Sequence, residues 1–212
     1  ISLSNVMSAI PGPGQGTTQM WMLSSTGTNA FTEVPIWRWK MTASPHPNVR
    51  YGSFVCSEDL FNCARFSIPP SEAQTMDPQQ RRLLEVGYGA LHGAWFARST
   101  LAGTDLGVFV GIMSVEFSAS TAYANAYSLT GTGHCFACGR LSYVFGLHGE
   151  CFSIDVACSS ALVGFSSARR SIAASEMSDA LVAGINMLFL PKMASAYASA
   201  SLTSPSGCSG RA

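Results

Sequence analysis

The residue with the clearest capacity for chemistry is Cys158, in the run Ser153-Ile154-Asp155-Val156-Ala157-Cys158-Ser159-Ser160. An apolar strand pattern precedes it and a helical pattern follows it. A thiol at such a junction meets the unpaired N–H groups and the positive dipole end of the helix, and both favour a negative charge. Helix N-termini lower a cysteine pKa from about 8.5 by one or more units, which raises the thiolate fraction at neutral pH. Small neighbours, Ala157, Ser159 and Ser160, leave room for a carbonyl to approach, and the Cys158 N–H is placed to face a developing oxyanion. The alternative reading is a buried structural thiol, because free cysteine is among the most commonly buried residues. Topology alone leaves both open.

Other nucleophile templates fit poorly. The run lacks the flanking glycines of a hydrolase elbow and the aromatic residue that follows a papain-like cysteine. All four histidines, His46, His92, His134 and His148, precede Cys158, so the chain offers no downstream general base, and each reads as a surface or loop residue. Cys135 and Cys138 form a CxxC beside His134 but lack a second ligand pair, and two packed thiols in a Gly-rich turn are the simpler expectation. Gly12-Pro13-Gly14-Gln15-Gly16 looks like a phosphate loop only superficially: Pro13 removes a cradling N–H and no Lys follows. The polar segment Asp77-Pro78-Gln79-Gln80-Arg81 is accounted for as a helix cap.

The elements that must position Cys158 follow from patterning. Asp77 is a good N-cap, Pro78 suits the first helical position, and Gln80 stands where a capping box places its returning side chain. Leu84, Tyr88, Leu91 and Trp95 then fall at i, i+4, i+7 and i+11 as one apolar stripe. Gly107 to Met113 is a short apolar run without polar alternation, which predicts a strand covered on both faces. Ser153 to Ala157 is a second strand, Ala161, Phe165, Ala168 and Ile172 have helical spacing, and Asp179 to Ile185 is a third strand. Together the last three form a βαβ unit with a right-handed crossover on a largely parallel sheet, and its strand-to-helix junction lies at the carboxyl edge where α/β proteins keep their sites. Ile1 to Ile10 reads as a strand running into a loop, and the stretch to about Tyr51 as loop around a short helix near Trp21. Ala194 to Ser209 is biased to Ala and Ser.

Composition narrows the classes. The 212 residues suit one domain of ordinary size, and only 11% are charged. Twelve basic and twelve acidic residues balance to zero net charge with no Lys/Arg cluster, which argues against a nucleic-acid partner. The longest apolar run, Ala180 to Leu190, is interrupted by Asn186 and is shorter than the roughly 20 residues a membrane span needs. The seven cysteines, odd in number and irregularly spaced, suggest reduced thiols in an intracellular, cytoplasmic setting. Ile1 at the start and Gly210-Arg211-Ala212 at the end give the expectation of a fragment.

These residues converge on a known pattern. Glu33-Val34-Pro35 with Arg38-Trp39, Met76-Asp77-Pro78-Gln79-Gln80-Arg81 followed by Leu83-Leu84-Glu85, Gly107 to Met113, Gly139-Arg140-Leu141-Ser142-Tyr143 with Gly146-Leu147, and Asp155 to Leu162 run nearly end to end. The chain resembles the amino-terminal half of a β-ketoacyl synthase (ketosynthase) domain, most like those of modular type I polyketide synthases, with residues 1–212 as one partial domain. The resemblance implies an α/β, thiolase-like layered αβαβα fold, of which this chain holds the amino-terminal half, and normally a homodimer. It implies that Cys158 takes an acyl group from a thioester. It further implies that no cofactor is bound directly and that 4'-phosphopantetheine arrives on an acyl carrier protein partner. A malonyl thioester on that carrier is then decarboxylated, and its carbanion attacks the Cys158 thioester in a Claisen condensation. The two histidines and the lysine that the family uses for decarboxylation are expected beyond this chain.

The sequence departs from the pattern at Val156 (usually Thr), Ala161 (usually Ser), Gly149-Glu150 (usually Gly-Pro) and Pro70-Ser71 (usually Pro-Arg). Two further readings stand beside the condensing enzyme. One is a non-catalytic relative kept for dimerisation or carrier docking, and the other is an acyltransferase of the same fold that skips decarboxylation. Polyketide and fatty acid products are not distinguished. With half of a layered core, apolar surface is expected to lie exposed.

Overall fold

The computed structural model describes residues 2–11, 16–40, 49–55, 57, 59–113, 116–120 and 125–207. Residues 12–15 of the glycine-rich run, His46 and the terminal Gly210-Arg211-Ala212 lie outside the described residues. In chain order the elements are α1 (Thr17–Thr26), β1 (Thr32–Glu33), β2 (Tyr51–Gly52), a 3-10 turn (Cys63–Phe66), α2 (Pro70–Ala73), α3 (Pro78–Gly93), α4 (Arg98–Leu101), β3 (Gly107–Ile112), α5 (Glu116–Ser120), α6 (Ser128–Thr132), α7 (Cys135–Phe145), β4 (Cys151–Ile154), α8 (Ser160–Ala173), β5 (Ala180–Ile185) and α9 (Pro191–Ser199).

The chain divides into two compact units, the first made of residues 1–7 and 58–186 and the second of residues 8–57 and 187–212. The first unit holds a parallel sheet in the order β4-β3-β5. Central β3 is buried along its whole length, as its unbroken apolar run predicts. The expected crossover from β4 through α8 to β5 exists, but these strands flank β3 rather than pair with each other. Val108 faces both Cys151 and Leu181 in register. One core cluster joins Leu83, Leu84 and Leu91 of α3 to Leu141 and Phe145 of α7 and to Val108 and Val110 of β3. A second, of Phe109, Ala168 and Met177, lies where α8 packs on the sheet.

Asp77 caps α3 as expected: its Oδ1 accepts the Gln79 N–H at 2.7 Å, and Pro78 takes the first turn. Gln80 departs from the capping-box expectation. Its amide donates to the Thr130 carbonyl at 3.1 Å and its Oε1 accepts from Arg140 Nε at 2.7 Å. A buried amide is better satisfied by these distant groups than by one local N–H, so tertiary demand overrides the cap. Trp95 also leaves the predicted stripe. The helix ends at Gly93, Trp95 takes a left-handed φ of 69°, and its side chain is 96% exposed.

Three other expectations are corrected. Residues 2–10 form no strand; the segment is held instead by its side chains, with Asn5 Nδ2 donating to the Ala90 carbonyl at 3.0 Å. The second strand runs Cys151–Ile154 and ends before Asp155; at the edge of the order β4-β3-β5 it is only half-buried, with Phe152 exposed. On α8 the buried stripe is Ser160, Gly164 and Ala168, not Ala161 and Phe165: Ser160 lies against β3, where a β-carbon on Gly111 would come within 2.8 Å of the Ser160 Cβ.

The second unit has a small core of Val34, Trp39, Val49, Ala194 and Ala198. The predicted helix near Trp21 is α1, which buries none of its residues. The antiparallel pair of β1 and β2, with Glu33 opposite Tyr51, was not legible in a stretch expected to be loop. Arg38 lies over Trp37, Phe54 and Phe189 at 5.1, 5.5 and 5.4 Å from the ring centres. No described helix is long and apolar enough to cross a membrane.

Candidate active site

Cys158 stands at the carboxyl edge of the sheet, on the turn between β4 and α8, with an exposed side chain. The expectation that it directly follows the strand is adjusted: Asp155, Val156 and Ala157 intervene, and Ser159 is the residue before the helix. Two side chains pin this turn. Asp155 Oδ1 accepts the Ala157 N–H at 3.1 Å. Ser160 Oγ accepts the Val156 N–H at 2.9 Å and donates to the Ala157 carbonyl at 2.7 Å. These local bonds hold Ala157 at a φ of 57°, the left-handed conformation that costs a non-glycine residue roughly 1 kcal/mol. The result is a sharp elbow ahead of the thiol. The absence of flanking glycines argues against an elbow in the sequence, yet the structure makes the turn with alanine and two polar side chains.

Glycines in the sheet let the elbow sit where it does. A Cβ at Gly111 would lie 2.7 Å from Ala161 N and 2.8 Å from Ser160 Cβ, and one at Gly184 would lie 2.8 Å from Ala161 Cβ. The first turn of α8 therefore rests directly on β3 and β5, and this contact fixes the height of Cys158 above the strand ends. The β-carbon of Ala161, where the family usually has Ser, is in that contact.

Behind the sheet, two of the segments that carry the resemblance meet. Arg140 of α7 donates through Nε to Gln80 at 2.7 Å and through Nη2 to the Thr130 carbonyl at 3.2 Å, and its Nη1 pairs with Glu72. The side chains of Arg140 and Glu72 are only 8% and 19% exposed. The Asp77 to Arg81 segment is thus more than a cap: it ties α3 to α7, and α7 contacts β4, the strand leading to Cys158. Sequence reasoning names both segments and misses that they touch, since a polar pair separated by 60 residues leaves no local signal.

The remaining candidates fall away from this site. Cys135 and Cys138 lie on helix α7, not in a turn, because Gly139 is accommodated within the helix. Among the described residues no group of three His, Cys, Asp or Glu side chains is arranged to hold a metal ion. His92 is exposed on α3, His148 is exposed in the loop after α7, and His134 sits just ahead of α7.

A layered parallel sheet with a cysteine elbow before a helix is the arrangement of the thiolase-like condensing folds. The chain matches the family model "Beta-ketoacyl synthase, N-terminal domain" over residues 6–211, and it belongs to the β-ketoacyl synthase family. It is 38% identical over 193 residues to the phenolphthiocerol synthesis polyketide synthase type I Pks15/1 of Mycobacterium marinum, covering 86% of this chain and 9% of that protein. It is 36% identical over 197 residues to the non-reducing polyketide synthase adrD of Penicillium rubens, covering 90% of this chain and 8% of that one. Among solved structures, the ketosynthase from module 6 of the bacillaene synthase of Bacillus subtilis 168 superposes with a TM-score of 0.83 at 31% identity, over 95% of this chain and 34% of that chain. The chain therefore spans a small part of each relative's length, the part described as the N-terminal domain of ketosynthases.

Proposed function

We propose that residues 1–212 form the amino-terminal, nucleophile-bearing half of a polyketide synthase ketosynthase and that Cys158 is its acyl-accepting residue. The observation that carries this reading is the exposed thiol on the pinned, left-handed turn between β4 and α8, within a domain that matches the family throughout. The Cys158 sulfur attacks the carbonyl of an acyl thioester presented on the phosphopantetheine arm of an acyl carrier protein. The carrier thiolate leaves and takes up the proton given up by Cys158. A malonyl-type thioester then loses carbon dioxide; its carbanion attacks the Cys158 thioester, forms the new carbon–carbon bond and expels the cysteine sulfur. Splitting the condensation in this way replaces one difficult step with two easier ones, and N–H donors at the elbow favour the oxyanion of each. Decarboxylation falls to residues other than those described here.

The exposed apolar side chains of Phe152 on β4, Val156 in the elbow, and Leu162, Val163 and Phe165 on α8 support burial of this face against further protein, in keeping with the homodimer that the resemblance implies.

The test uses the whole natural polypeptide that contains these residues. Incubation with an acyl thioester and intact mass spectrometry should give one acyl adduct that maps to Cys158. Cys158→Ser should remove the adduct while leaving the oligomeric state unchanged. An undiminished adduct in that variant overturns the proposal. Loading without later carbon dioxide release from a malonyl thioester would favour the acyltransferase reading.

A further inference from the structure

Ser160 is the first residue of α8 and only 5% exposed, set against β3 where Gly111 has no side chain. Its Oγ donates to the Ala157 carbonyl at 2.7 Å and accepts the Val156 N–H at 2.9 Å, and the Ser160 main-chain N–H gives the same carbonyl a second bond at 3.2 Å. Enclosed as it is, the hydroxyl cannot exchange these partners for water. On the other side of Ala157, Asp155 Oδ1 accepts the Ala157 N–H at 3.1 Å. Each of the two peptide planes that flank Ala157 is therefore held by a side chain, and the residue between them keeps its left-handed φ of 57°.

From this geometry we propose that Ser160 is a positioning residue that aims the Cys158 N–H at the oxyanion of acyl transfer. The Ala157 carbonyl and the Cys158 N–H are opposite ends of one planar trans peptide, so they point in opposite directions. Drawing the carbonyl toward enclosed Ser160 turns the N–H the other way, toward the open side of the elbow, where residues 155–159 are exposed. The inference rests on the reading of Cys158 as the acyl acceptor. In that step the Cys158 sulfur adds to the thioester carbonyl carbon, the carbonyl electron pair moves to oxygen, and the oxyanion accepts from the Cys158 N–H. Its collapse restores the carbonyl and expels the carrier thiolate, which takes up the cysteine proton. Ser160 keeps its own proton throughout.

Alanine is more stable outside the left-handed region. Without the Ser160 hydroxyl the Ala157 carbonyl loses its shorter bond, Ala157 relaxes, and the peptide that joins it to Cys158 rotates. The N–H then swings away from the oxyanion, while the sulfur stays exposed on the same turn. Chemistry directed at a carbonyl suffers, and the reactivity of the thiol as such does not. A hydroxyl that only stabilised the turn would affect both alike.

In the whole natural polypeptide, two reactions of Cys158 are timed by mass spectrometry of its peptide: loading from an acyl thioester, which passes through an oxyanion, and alkylation by iodoacetamide, which displaces iodide and forms none. Ser160→Ala should slow loading by about 10- to 100-fold, up to the lower end of what loss of an oxyanion donor costs, and change alkylation by less than about twofold. Adding Ala157→Gly to Ser160→Ala should recover about fivefold in loading, because glycine adopts the left-handed turn without the penalty that alanine carries. Ala157→Val, at an exposed position and with Ser160 intact, should likewise slow loading and spare alkylation, since a β-branched residue resists a positive φ. That variant carries the test if Ser160→Ala fails to fold. Loading at the original rate, or an equal loss of loading and alkylation, in either variant overturns the proposal. If the unaltered protein is alkylated at Cys158 but takes no acyl group there, the reading of Cys158 itself fails, and this inference fails with it.

Discussion

Arg140 and Arg50 each pair with a glutamate, and the two units use that pair differently. In the first unit Arg140 is nearly enclosed and joins Glu72, Gln80 and the Thr130 carbonyl, so one guanidinium binds together α2, α3, α6 and α7. In the second unit Arg50 meets Glu33 at 2.6 Å on an open face, with the two side chains 58% and 62% exposed. The enclosed pair has given up water and has to be satisfied by protein, whereas the open pair keeps water as an equal partner. The unit that holds the Cys158 elbow is thus over-determined behind its sheet, and the other unit relies on a small apolar core with charges at its surface.

Removing Arg140 should break this contrast most severely. Arg140→Ala leaves Glu72 without its partner and strips Gln80 of a donor, and losing one member of an enclosed pair costs on the order of 3 to 5 kcal/mol. Chemical unfolding of the whole polypeptide should show that loss, and an unchanged midpoint would mean the network is ornamental. Next in size is Gly111→Ala. A β-carbon 2.7 Å from Ala161 N meets backbone rather than a yielding side chain, so overpacking should cost roughly 1 to 3 kcal/mol and lift the first turn of α8. Acyl loading of Cys158 should fall more than stability does, because the elbow stands on that turn; a variant that loads at the original rate would show that the close contact does not position the thiol.

The same contrast explains what could be read in advance. The β3 strand, α3 and its Asp77 cap, and the position of Cys158 between a strand and a helix were legible because each is written in consecutive residues: an apolar run, a cap followed by proline, and a cysteine between a strand and a helix pattern. The start of β4, the α8 stripe and the role of Gln80 were not. Each depends on a neighbour distant in sequence, such as Arg140 reaching Gln80 or Ser160 and Gly164 accommodating β3 and Phe109. Ala157 illustrates the limit most sharply. No propensity places alanine in a left-handed turn; Asp155 and Ser160 hold it there through three side-chain hydrogen bonds. The β1–β2 pair was missed for the opposite reason: two-residue strands carry too little period to register.

A smaller effect sharpens the comparison through pH. Asp77 is only 3% exposed, and burial pushes its carboxyl up, against the lowering influence of the Gln79 donors and the nearby charges of Arg81 and His134. A raised value in the folded state means that folding favours the protonated acid. Its contribution to stability is therefore full below the ordinary carboxylate value of 3.8 and is lost as pH rises through the folded-state value. Asp77→Asn keeps an oxygen for the Gln79 N–H and cannot ionise. Relative to the original protein, the variant should gain stability as pH rises through that window and hold a constant difference above it. A difference that shrinks with rising pH would show that the donors outweigh burial.

The smallest effect belongs to Arg50. Glu33 raises its pKa, first by hydrogen bonding and then by charge, yet the guanidinium already carries its proton throughout the range in which the protein folds, so this coupling adds nothing to the pH dependence. What holds β1 to β2 is main chain, including the Val34 N–H donating to the Arg50 carbonyl at 2.9 Å, together with burial of Val34 and Val49 beside it. Arg50→Ala retains all of these. The thermal midpoint should stay within measurement error at both low and high salt, since water replaces the lost partner on each side of the pair. A shift approaching that of Arg140→Ala would mean that the open pair bears structure as the enclosed one does, and the distinction between the two units would fail at the point where they look most alike.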